Sequence, residues 1–391
     1  MEFKVKNKHY SIEYINTQEK LMDCVEHLNK STEFGFDLEF DRDRFTYGFH
    51  LCLIQLCTET RCFIVDPLSK INLTPLFKTF QNEKILKIAY SCDQDLQLLH
   101  LQKCYPKNIF DIEIAIKLLN YDYAGLGKIV HAKFNIELDK KLQTSNWNLR
   151  PMTMQQMEYS SNDVIYLIKL RHILEIEIEQ KNLQNWLKEE HQYLDTIVYK
   201  TRNTDSFLTE DEENYMTDYH KYIFNELLRF RDKIAKANNK PAFKIFDRKL
   251  IKEILFEKNS FDNWMELKNI YYKVQNQTFK KEISALFEKL KCDANALNLN
   301  QIHLPWTDEQ KAQRKEENKL NGQIKEEMLK PIQLYLEEKY GKFTARYFFS
   351  ETFMNDMFKH GKRISEIKPD YKKNLIITTA KELNLDIERF L

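Results

Sequence analysis

One short segment, residues 34–40, constrains the fold of this chain more than any other. Its apolar residues recur on a period of two, which predicts a β-strand with one buried face; they are Phe34, Phe36, Leu38 and Phe40. The acidic residues Asp37 and Glu39 then share the opposite face. Because unpaired charge is costly to bury, the pair indicates either a solvated face or a bound cation. Taken alone, the pair favours the solvated face.

Strand and helix patterns alternate around this segment. Strands are predicted at 51–56, 62–65 and 85–89, and helices at 73–80 and 93–101. Short polar turns between the first strands favour an antiparallel meander. From Phe110 to about Gln180 the pattern is helical. We therefore predict a mixed α/β domain over roughly the first 180 residues, followed by further domains in a chain of 391 residues.

Composition excludes several classes of protein. Seven glycines and no glycine-rich phosphate motif argue against a nucleotide-binding loop. No secretory signal is expected in the first 17 residues, and no run of 18 apolar residues predicts a membrane helix. The seven cysteines contain no CxxC pair. We expect Cys52, Cys57 and Cys62 to be buried free thiols in a reducing cytosol, with a zinc site as the minor alternative.

Charge is distributed unevenly although the net charge is only +1. Residues 175–217 hold 11 acidic and 4 basic residues, a balance of −7. Residues 228–252 hold nine basic and two acidic residues, a balance of +7, on a pattern of helix, polar turn and helix. A basic footprint for nucleic acid would therefore be local.

Two further segments with acidic residues follow the strand pair. Tyr159 and Asp163 are separated by four residues, so one face of a helix would present both. Asp93 and Asp95 open a predicted helix after a buried strand. Capping explains Asp93 well, because acidic residues are common at helix N-termini. Asp95 lies deeper in the helix and needs a different explanation, and Leu96 after it favours Asp95 as the functional residue.

Together these pieces resemble the three motifs of the DEDDy family of 3′→5′ exonucleases, in order and context. Asp37-Leu38-Glu39 resembles the first motif, Asp95 the second, and Tyr159 to Asp163 the third. Neighbouring sequence segments resemble those of the ribonuclease D branch. They are Leu53-Ile54-Gln55-Leu56, Ser145-Asn146-Trp147-Asn148-Leu149-Arg150-Pro151 and Asp163-Val164 with Tyr166-Leu167. The chain departs from the family at Tyr90, Ser91, Ser160 and Ser161, none of which is a carboxylate.

The resemblance implies a ribonuclease H-like α/β exonuclease domain followed by one or two all-α HRDC-like domains. We predict an exonuclease domain at 1–190, an acidic linker at 191–217, an HRDC-like domain at 218–300, and a second helical domain, with an HRDC-like fold as one interpretation, at 301–391.

The resemblance also implies a catalytic set and two divalent metal ions, Mg²⁺ or Mn²⁺. Asp37 would bridge both ions, and Glu39 and Asp163 would hold the ion that activates water. Asp95 would act on the leaving-group ion through bound water. Tyr159 would orient the attacking water, because a phenol with a pKa near 10 is a weak base at pH 7.

Nucleic-acid contacts are assigned to a separate set. Phe40 and Trp147 are candidates to stack on terminal bases, although core packing is an equally open interpretation for Trp147. The other candidates are Arg150, Arg229, Lys233, Lys236 and Lys240. A solvated helix face remains an equal alternative for the basic segment.

The predicted function is a cytoplasmic 3′→5′ exoribonuclease that trims RNA 3′ ends, with tRNA precursors among the substrates implied by the resemblance. A single-stranded DNA exonuclease is the alternative within the same chemistry. A binding protein with an inactive nuclease fold is the alternative from another class.

Overall fold

A seven-stranded mixed sheet forms the centre of the first half of the chain. The computed structural model describes residues 2–5, 8–122, 125–199, 206–302 and 308–391. The strand order is β1-β2-β5-β4-β3-β6-β7. The strands are β1 (Glu2–Val5), β2 (Lys8–Ile15), β3 (Glu33–Arg42), β4 (Phe49–Cys57), β5 (Arg61–Val65), β6 (Leu86–Ala89) and β7 (Ile109–Asp111).

Eighteen α-helices lie in the described part of the chain. Those of the first half are α1 (Gln18–Asn29), α2 (Thr74–Phe80), α3 (Asp93–Leu101), α4 (Ile112–Leu118), α5 (Leu126–Phe134), α6 (Met154–Asn162), α7 (Leu167–Gln180) and α8 (Gln184–Leu194). Those that follow are α9 (Glu210–Tyr215), α10 (Asp218–Ala237), α11 (Ala242–Ile245), α12 (Arg248–Leu255), α13 (Gln277–Ala296), α14 (Asp308–Ile324), α15 (Lys330–Tyr340), α16 (Lys342–Phe348), α17 (Glu351–Lys359) and α18 (Asp370–Glu382).

The alternating segment forms the inner strand β3, as predicted. Phe34, Phe36 and Leu38 are buried on one face. β3 pairs in parallel with β6, and β6 pairs in parallel with β7. Parallel strands end at the same edge of a sheet, so the chain leaving β3 and the chain leaving β6 meet there. That edge receives Asp37, Glu39 and the start of α3.

The predicted meander is confirmed in its order, since β5, β4 and β3 are neighbours in the sheet. The free-thiol prediction is wrong for Cys57 and Cys62. These two residues lie directly opposite each other in the antiparallel β4–β5 pair and form a disulfide. The register of the turn brings them together, which a spacing of five residues did not indicate. Cys52 is a buried free thiol, as expected.

The chain divides into two compact units with interleaved segments. The first comprises Met1–Glu39, Leu51–Lys200 and Asp308–Leu391, and the second comprises Phe40–His50 and Thr201–Thr307. This division differs from the predicted domains in two places. The loop after β3 belongs to the second unit, and the last helical block belongs to the first.

The predicted acidic linker at 191–217 is also more structured than expected. It contains the end of α8 and all of α9. Glu212 in α9 is 3% exposed and forms ion pairs with Arg248 and Lys252. Basic side chains distant in sequence therefore balance the charge of Glu212, which a local charge count cannot reveal.

The second unit has its own core around α10 and α13. Its buried side chains include Phe224, Phe246 and Trp264. The indole N–H of Trp264 donates to the carbonyl of Val274 at 2.8 Å, so this large side chain is buried with its polar atom satisfied.

The last helical block has a core of its own and also packs on the exonuclease fold within the first unit. Glu190 in α8 is buried and accepts hydrogen bonds from Tyr347, at 2.7 Å, and Tyr371. Lys372 pairs with the same carboxylate at 2.8 Å. The ring of Trp186 stacks on Tyr371 at 5.1 Å. The block is therefore attached through a buried polar cluster rather than through surface contacts.

None of the helices described is long and apolar enough to cross a lipid bilayer.

Candidate metal centre and active site

Three carboxylates converge at the end of β3. Asp37, Glu39 and Asp163 each offer an oxygen atom, and these atoms lie within 4.8 Å of one another. In the described part of the chain this is the only such group of three or more His, Cys, Asp or Glu residues. The period of two on β3 accounts for Asp37 and Glu39, which point away from the core. Asp163 comes from the chain 124 residues beyond Glu39.

The end of α6 positions Asp163 and Tyr159. Thr153 begins the helix with a capping box, in which its hydroxyl accepts from the N–H of Gln156 at 3.1 Å. Asp163 is the C-cap residue, one turn after Tyr159. The two serines that replace the family's alanines are buried, and each donates its hydroxyl to a carbonyl three residues earlier. The substitution is therefore accommodated without an unpaired polar group.

Gly35 permits the close approach of these two elements. A Cβ atom at Gly35 would lie 3.1 Å from the carbonyl oxygen of Val164 and 3.2 Å from side-chain atoms of Leu167. The chain just after Asp163 therefore lies directly against β3. Only a residue without a side chain fits this contact without displacement, so Gly35 sets how near Asp163 comes to Asp37.

Asp95 and Asp93 lie in different environments in the structure. Asp95 is 6% exposed, whereas Asp93 is exposed and accepts a hydrogen bond from the hydroxyl of Tyr199 at 2.8 Å. The negative charge of Asp37 acts on Asp95, so Asp95 faces the carboxylate group. Asp95 is not within the 4.8 Å triplet. Of the four predicted metal ligands, three are brought together and the fourth lies beside them.

Burial and mutual repulsion hold protons on these carboxylates. Burial raises the pKa of Asp37 to about 7. Burial and the charges of Asp37, Asp163 and Asp95 raise the pKa of Glu39 well above its usual range. Burial raises the pKa of Tyr159 as well, and the neighbouring carboxylates add to this shift, so the phenol remains protonated at neutral pH.

This donor set fits a hard divalent cation. Carboxylate oxygens are the ligands that Mg²⁺ and Mn²⁺ prefer. Clustered carboxylates that repel one another are stabilised when cations neutralise them. The three oxygen atoms are close enough to share one ion.

The structure buries Trp147 and partly buries Arg150. Trp147 is 3% exposed and its ring lies 5.9 Å from that of Tyr159. Arg150 donates to both carboxylate oxygens of Asp66, at 2.7 and 2.6 Å, and to the carbonyls of Cys52, Trp147 and Leu149. Its five N–H groups are thus all used. These contacts give both side chains structural partners, and the predicted RNA contacts of Trp147 and Arg150 stay predictions.

The remaining nucleic-acid candidates lie in the second unit. Phe40 is half-buried and its ring packs against Phe49 at 5.1 Å. In α10, Lys233 and Lys236 are exposed, and Arg229 pairs with Glu226 at 3.2 Å. Lys240, after α10, is partly exposed. These residues remain predictions.

Two residues near the carboxylates were not foreseen. Asp111 accepts from the N–H groups of Ser91, at 2.8 Å, and Cys92, at 3.0 Å, and so holds the turn between β6 and α3. Lys140 carries the positive charge that opposes the pKa rise of Asp163. The Asp111 side chain acts across 20 residues of sequence, so only a family alignment would have signalled it.

The comparison with known proteins agrees with this geometry. Residues 12–179 match a family model described as a 3′-5′ exonuclease. Ribonuclease D of Desulfotalea psychrophila is 31% identical over 245 residues, which is 61% of this chain and 65% of that protein. Ribonuclease D of Haemophilus influenzae is 31% identical over 51% of this chain and 49% of its own length. The chain thus spans between about half and two thirds of these two relatives.

A solved structure shows the same fold over almost the whole chain. RNase D of Escherichia coli, described as an exoribonuclease involved in structured RNA processing, aligns with a TM-score of 0.68 over 95% of this chain and 97% of that one, at 20% identity. The predicted α/β fold with an all-helical C-terminal region is confirmed.

The fold and the carboxylate site define a 3′-5′ exonuclease domain of the ribonuclease H-like kind. Residues 12–179 match the model of that exonuclease family. Within it, the chain is similar to ribonuclease D proteins, as its motifs indicated.

Proposed function

We propose that the protein is a metal-dependent exoribonuclease that removes nucleotides from RNA 3′ ends. One observation carries the proposal: three carboxylate oxygens lie within 4.8 Å of one another in a domain that matches the 3′-5′ exonuclease family. Hydrolysis of a phosphodiester needs an activated water and a stabilised leaving oxygen. Two divalent cations supply both when they are bound in such a site.

Each residue of the site has a distinct part in this proposal. Asp37, Glu39 and Asp163 would hold Mg²⁺ or Mn²⁺, with Asp95 as the fourth carboxylate at the second ion. Tyr159 keeps its proton, because its pKa is raised. Its hydroxyl would therefore orient the nucleophile as a hydrogen-bonding group rather than remove a proton from it.

The proposed substrate is a single-stranded RNA 3′ end, including those of tRNA precursors and other structured RNAs. Support comes from the ribonuclease D relatives and from the Escherichia coli protein, which is described as acting in structured RNA processing. A cytoplasmic location belongs to the same proposal.

The basic helix α10 and the residues after it are proposed to contact RNA phosphates. Charge reversal at Lys233, Lys236 and Lys240 together should weaken RNA binding and flatten its dependence on salt, because each lost phosphate contact lowers the slope by about 0.7 for a single strand. The measurement is fluorescence anisotropy over a salt series. An unchanged slope would make this segment a solvated face.

The test of the activity uses an RNA labelled at its 5′ end and carrying a single-stranded 3′ tail. It is incubated with Mg²⁺, Mn²⁺ or EDTA, beside a DNA of the same sequence. We expect a metal-dependent ladder that shortens from the 3′ end and is stronger on RNA. The Asp37→Ala variant serves as the inactive control, since it removes a ligand and relieves carboxylate repulsion without opening the fold.

The other outcomes identify the alternatives. Equal shortening of DNA would indicate a general single-strand exonuclease. Binding without shortening in either metal would indicate a nuclease fold used only for binding.

A further inference from the structure

A basic–aromatic patch lies on the second unit, outside the carboxylate site. It consists of Arg44 and Phe45 in the loop between β3 and β4, and of Phe243 and Lys244 in α11. We propose that this patch binds the single-stranded part of an RNA substrate, with bases stacked on Phe243 and phosphates on Arg44 and Lys244. The inference rests on the proposed exoribonuclease function and assigns it a substrate-binding surface.

The patch is assembled from segments about 200 residues apart in sequence. The Nζ atom of Lys244 lies 5.8 Å from the ring centre of Phe45 and 5.9 Å from that of Phe243. The guanidinium carbon of Arg44 lies 5.2 Å from the centre of Phe45. Two cations and two rings are therefore interleaved on one surface.

The patch is open to solvent. Phe243 is 57% exposed, Arg44 and Lys244 are exposed, and Phe45 is half-buried. Within the described residues, neither cation forms an ion pair with a carboxylate. An exposed aromatic ring with unpaired cations beside it is the arrangement that single-strand binding proteins use, because bases stack on the ring while phosphates meet the cations.

Hydrogen bonds hold the loop of the patch in place. The carboxylate of Asp41, 2% exposed, accepts from the N–H groups of Arg44 at 2.9 Å and Phe45 at 3.1 Å. Tyr47 donates its hydroxyl to Asp232 at 2.7 Å and its N–H to Asn239 at 3.3 Å. These bonds join the loop to α10 and to the turn after it, which lowers the ordering cost of binding.

Nearby acidic groups are already engaged. Asp41 is buried in its loop, Asp43 accepts from the N–H of Gly48 at 2.6 Å, and Asp232 accepts from Tyr47. In the sequence, Arg44 follows Glu39 by five residues. RNA fits the exposed cations and the exposed ring better than an acidic protein does. An acidic protein would pair with the cations, but it carries no bases to stack on Phe243.

The test measures binding of a 12-nucleotide, unstructured, 5′-fluorescein RNA in EDTA, where no hydrolysis occurs. Arg44→Gln with Lys244→Gln should weaken binding about tenfold at moderate salt and lower the salt slope by about 1.4, the loss of two phosphate contacts. Phe243→Ser should weaken binding by about tenfold at every salt concentration without changing the slope, as loss of one stacked base predicts. Phe243→Leu should fall between Ser and Phe.

Matched variants elsewhere in the second unit control for charge and aromatic loss. Lys268→Gln removes an exposed cation and Tyr272→Ser removes a ring that is 72% exposed. Both should bind RNA as the unaltered protein does. If they weaken binding as much as the patch variants, or if the patch variants bind normally, the proposal is overturned.

Two further readouts separate the possible explanations. Phe243→Ser could leave binding unchanged while Arg44→Gln with Lys244→Gln weakens the binding of RNA and of heparin by the same factor. The surface would then be a general anion-binding site, and the stacking proposal would fail. In the nuclease assay, patch variants should raise KM for the 12-nucleotide RNA and leave kcat unchanged. Absence of hydrolysis by the unaltered protein would refute the proposed function alone, because the binding result does not depend on it.

Discussion

At the scale of single residues, the site distinguishes two aspartates that the sequence left close to equivalent. Asp95 is buried and acts electrostatically with Asp37, whereas Asp93 is exposed and bonded to Tyr199. We expect Asp95→Ala to reduce hydrolysis at least about a hundredfold, because a carboxylate at a catalytic metal contributes several kcal/mol. Asp93→Ala, the matched control, should stay within a few fold. Single-turnover rates with 5′-labelled RNA decide between them, and equal losses would contradict the assignment.

A second residue-scale prediction concerns acid stability. Burial lowers the pKa of His191 to about 4, and its Nε2 atom accepts from the N–H of Asp111 at 3.3 Å. The unfolded chain, with a pKa near 6.5, therefore binds the proton more readily. The stabilisation from neutral His191 is complete above pH 6.5 and is lost as the pH falls from 6.5 towards 4.

The comparison of His191→Gln with the unaltered protein isolates this effect, since glutamine keeps an acceptor but takes no proton. Between pH 7.5 and pH 5 the unaltered protein should lose about 2 kcal/mol more unfolding free energy than the variant. Urea unfolding at the two pH values measures the difference. Parallel losses in both proteins would show that His191 is not the group that titrates.

At the scale of elements, the close contact at Gly35 links stability to activity. Gly35→Ala forces the chain after Asp163 away from β3, because the new Cβ would lie 3.1 Å from the carbonyl of Val164. Overpacking of this kind costs about 1–3 kcal/mol, and displacement of a catalytic group by about 1 Å can cost a hundredfold in rate. We expect both losses in urea unfolding and in nuclease rate.

Gly322 provides the control for this variant. A Cβ there meets nothing within 4 Å, and the residue lies inside α14. Gly322→Ala should therefore leave the rate unchanged and raise the unfolding free energy by up to about 1 kcal/mol through helix propensity. A Gly35→Ala protein as stable and active as the unaltered one would refute the role given to the contact.

Elements with strong local patterns were predictable from the sequence. Helix α3 and strand β6 agree with prediction closely, and so does the buried face of β3. The short strand β7, Ile109–Asp111, was missed, because two of its three residues lie within a segment that has a helical pattern. Motif spacing located the carboxylates. The bonds from Asp111 to the turn before α3 and the bonds from Arg150 to Asp66 and Cys52 join partners remote in sequence, and no local pattern contains them.

At the scale of the whole molecule, the last helical block depends on one buried carboxylate. Glu190 is 3% exposed and Lys372 is 6% exposed. Glu190→Ala should cost about 3–5 kcal/mol, because it leaves the Lys372 ammonium buried without its partner. In hydrogen exchange, α15 to α18 should lose protection while the sheet retains it.

The ion pair of Lys289 with Asp293 is the matched control. It spans one helical turn and its side chains are 68% and 35% exposed. Asp293→Ala should cost no more than about 0.5 kcal/mol. If Glu190→Ala costs as little as this surface variant, the buried cluster does not hold the block in place.

The membership of Phe40–His50 in the second unit affects how the protein can be dissected. A nuclease shortened at residue 200 would keep Tyr47 but lose Asp232 and Asn239, to which it is bonded. It would also keep Trp186 and Glu190 but lose the tyrosines that cover them. The exonuclease domain therefore cannot be excised as one continuous segment, because the chain alternates between the two units. A fragment ending at residue 200 would expose side chains that are covered in the full chain, and we expect it to aggregate.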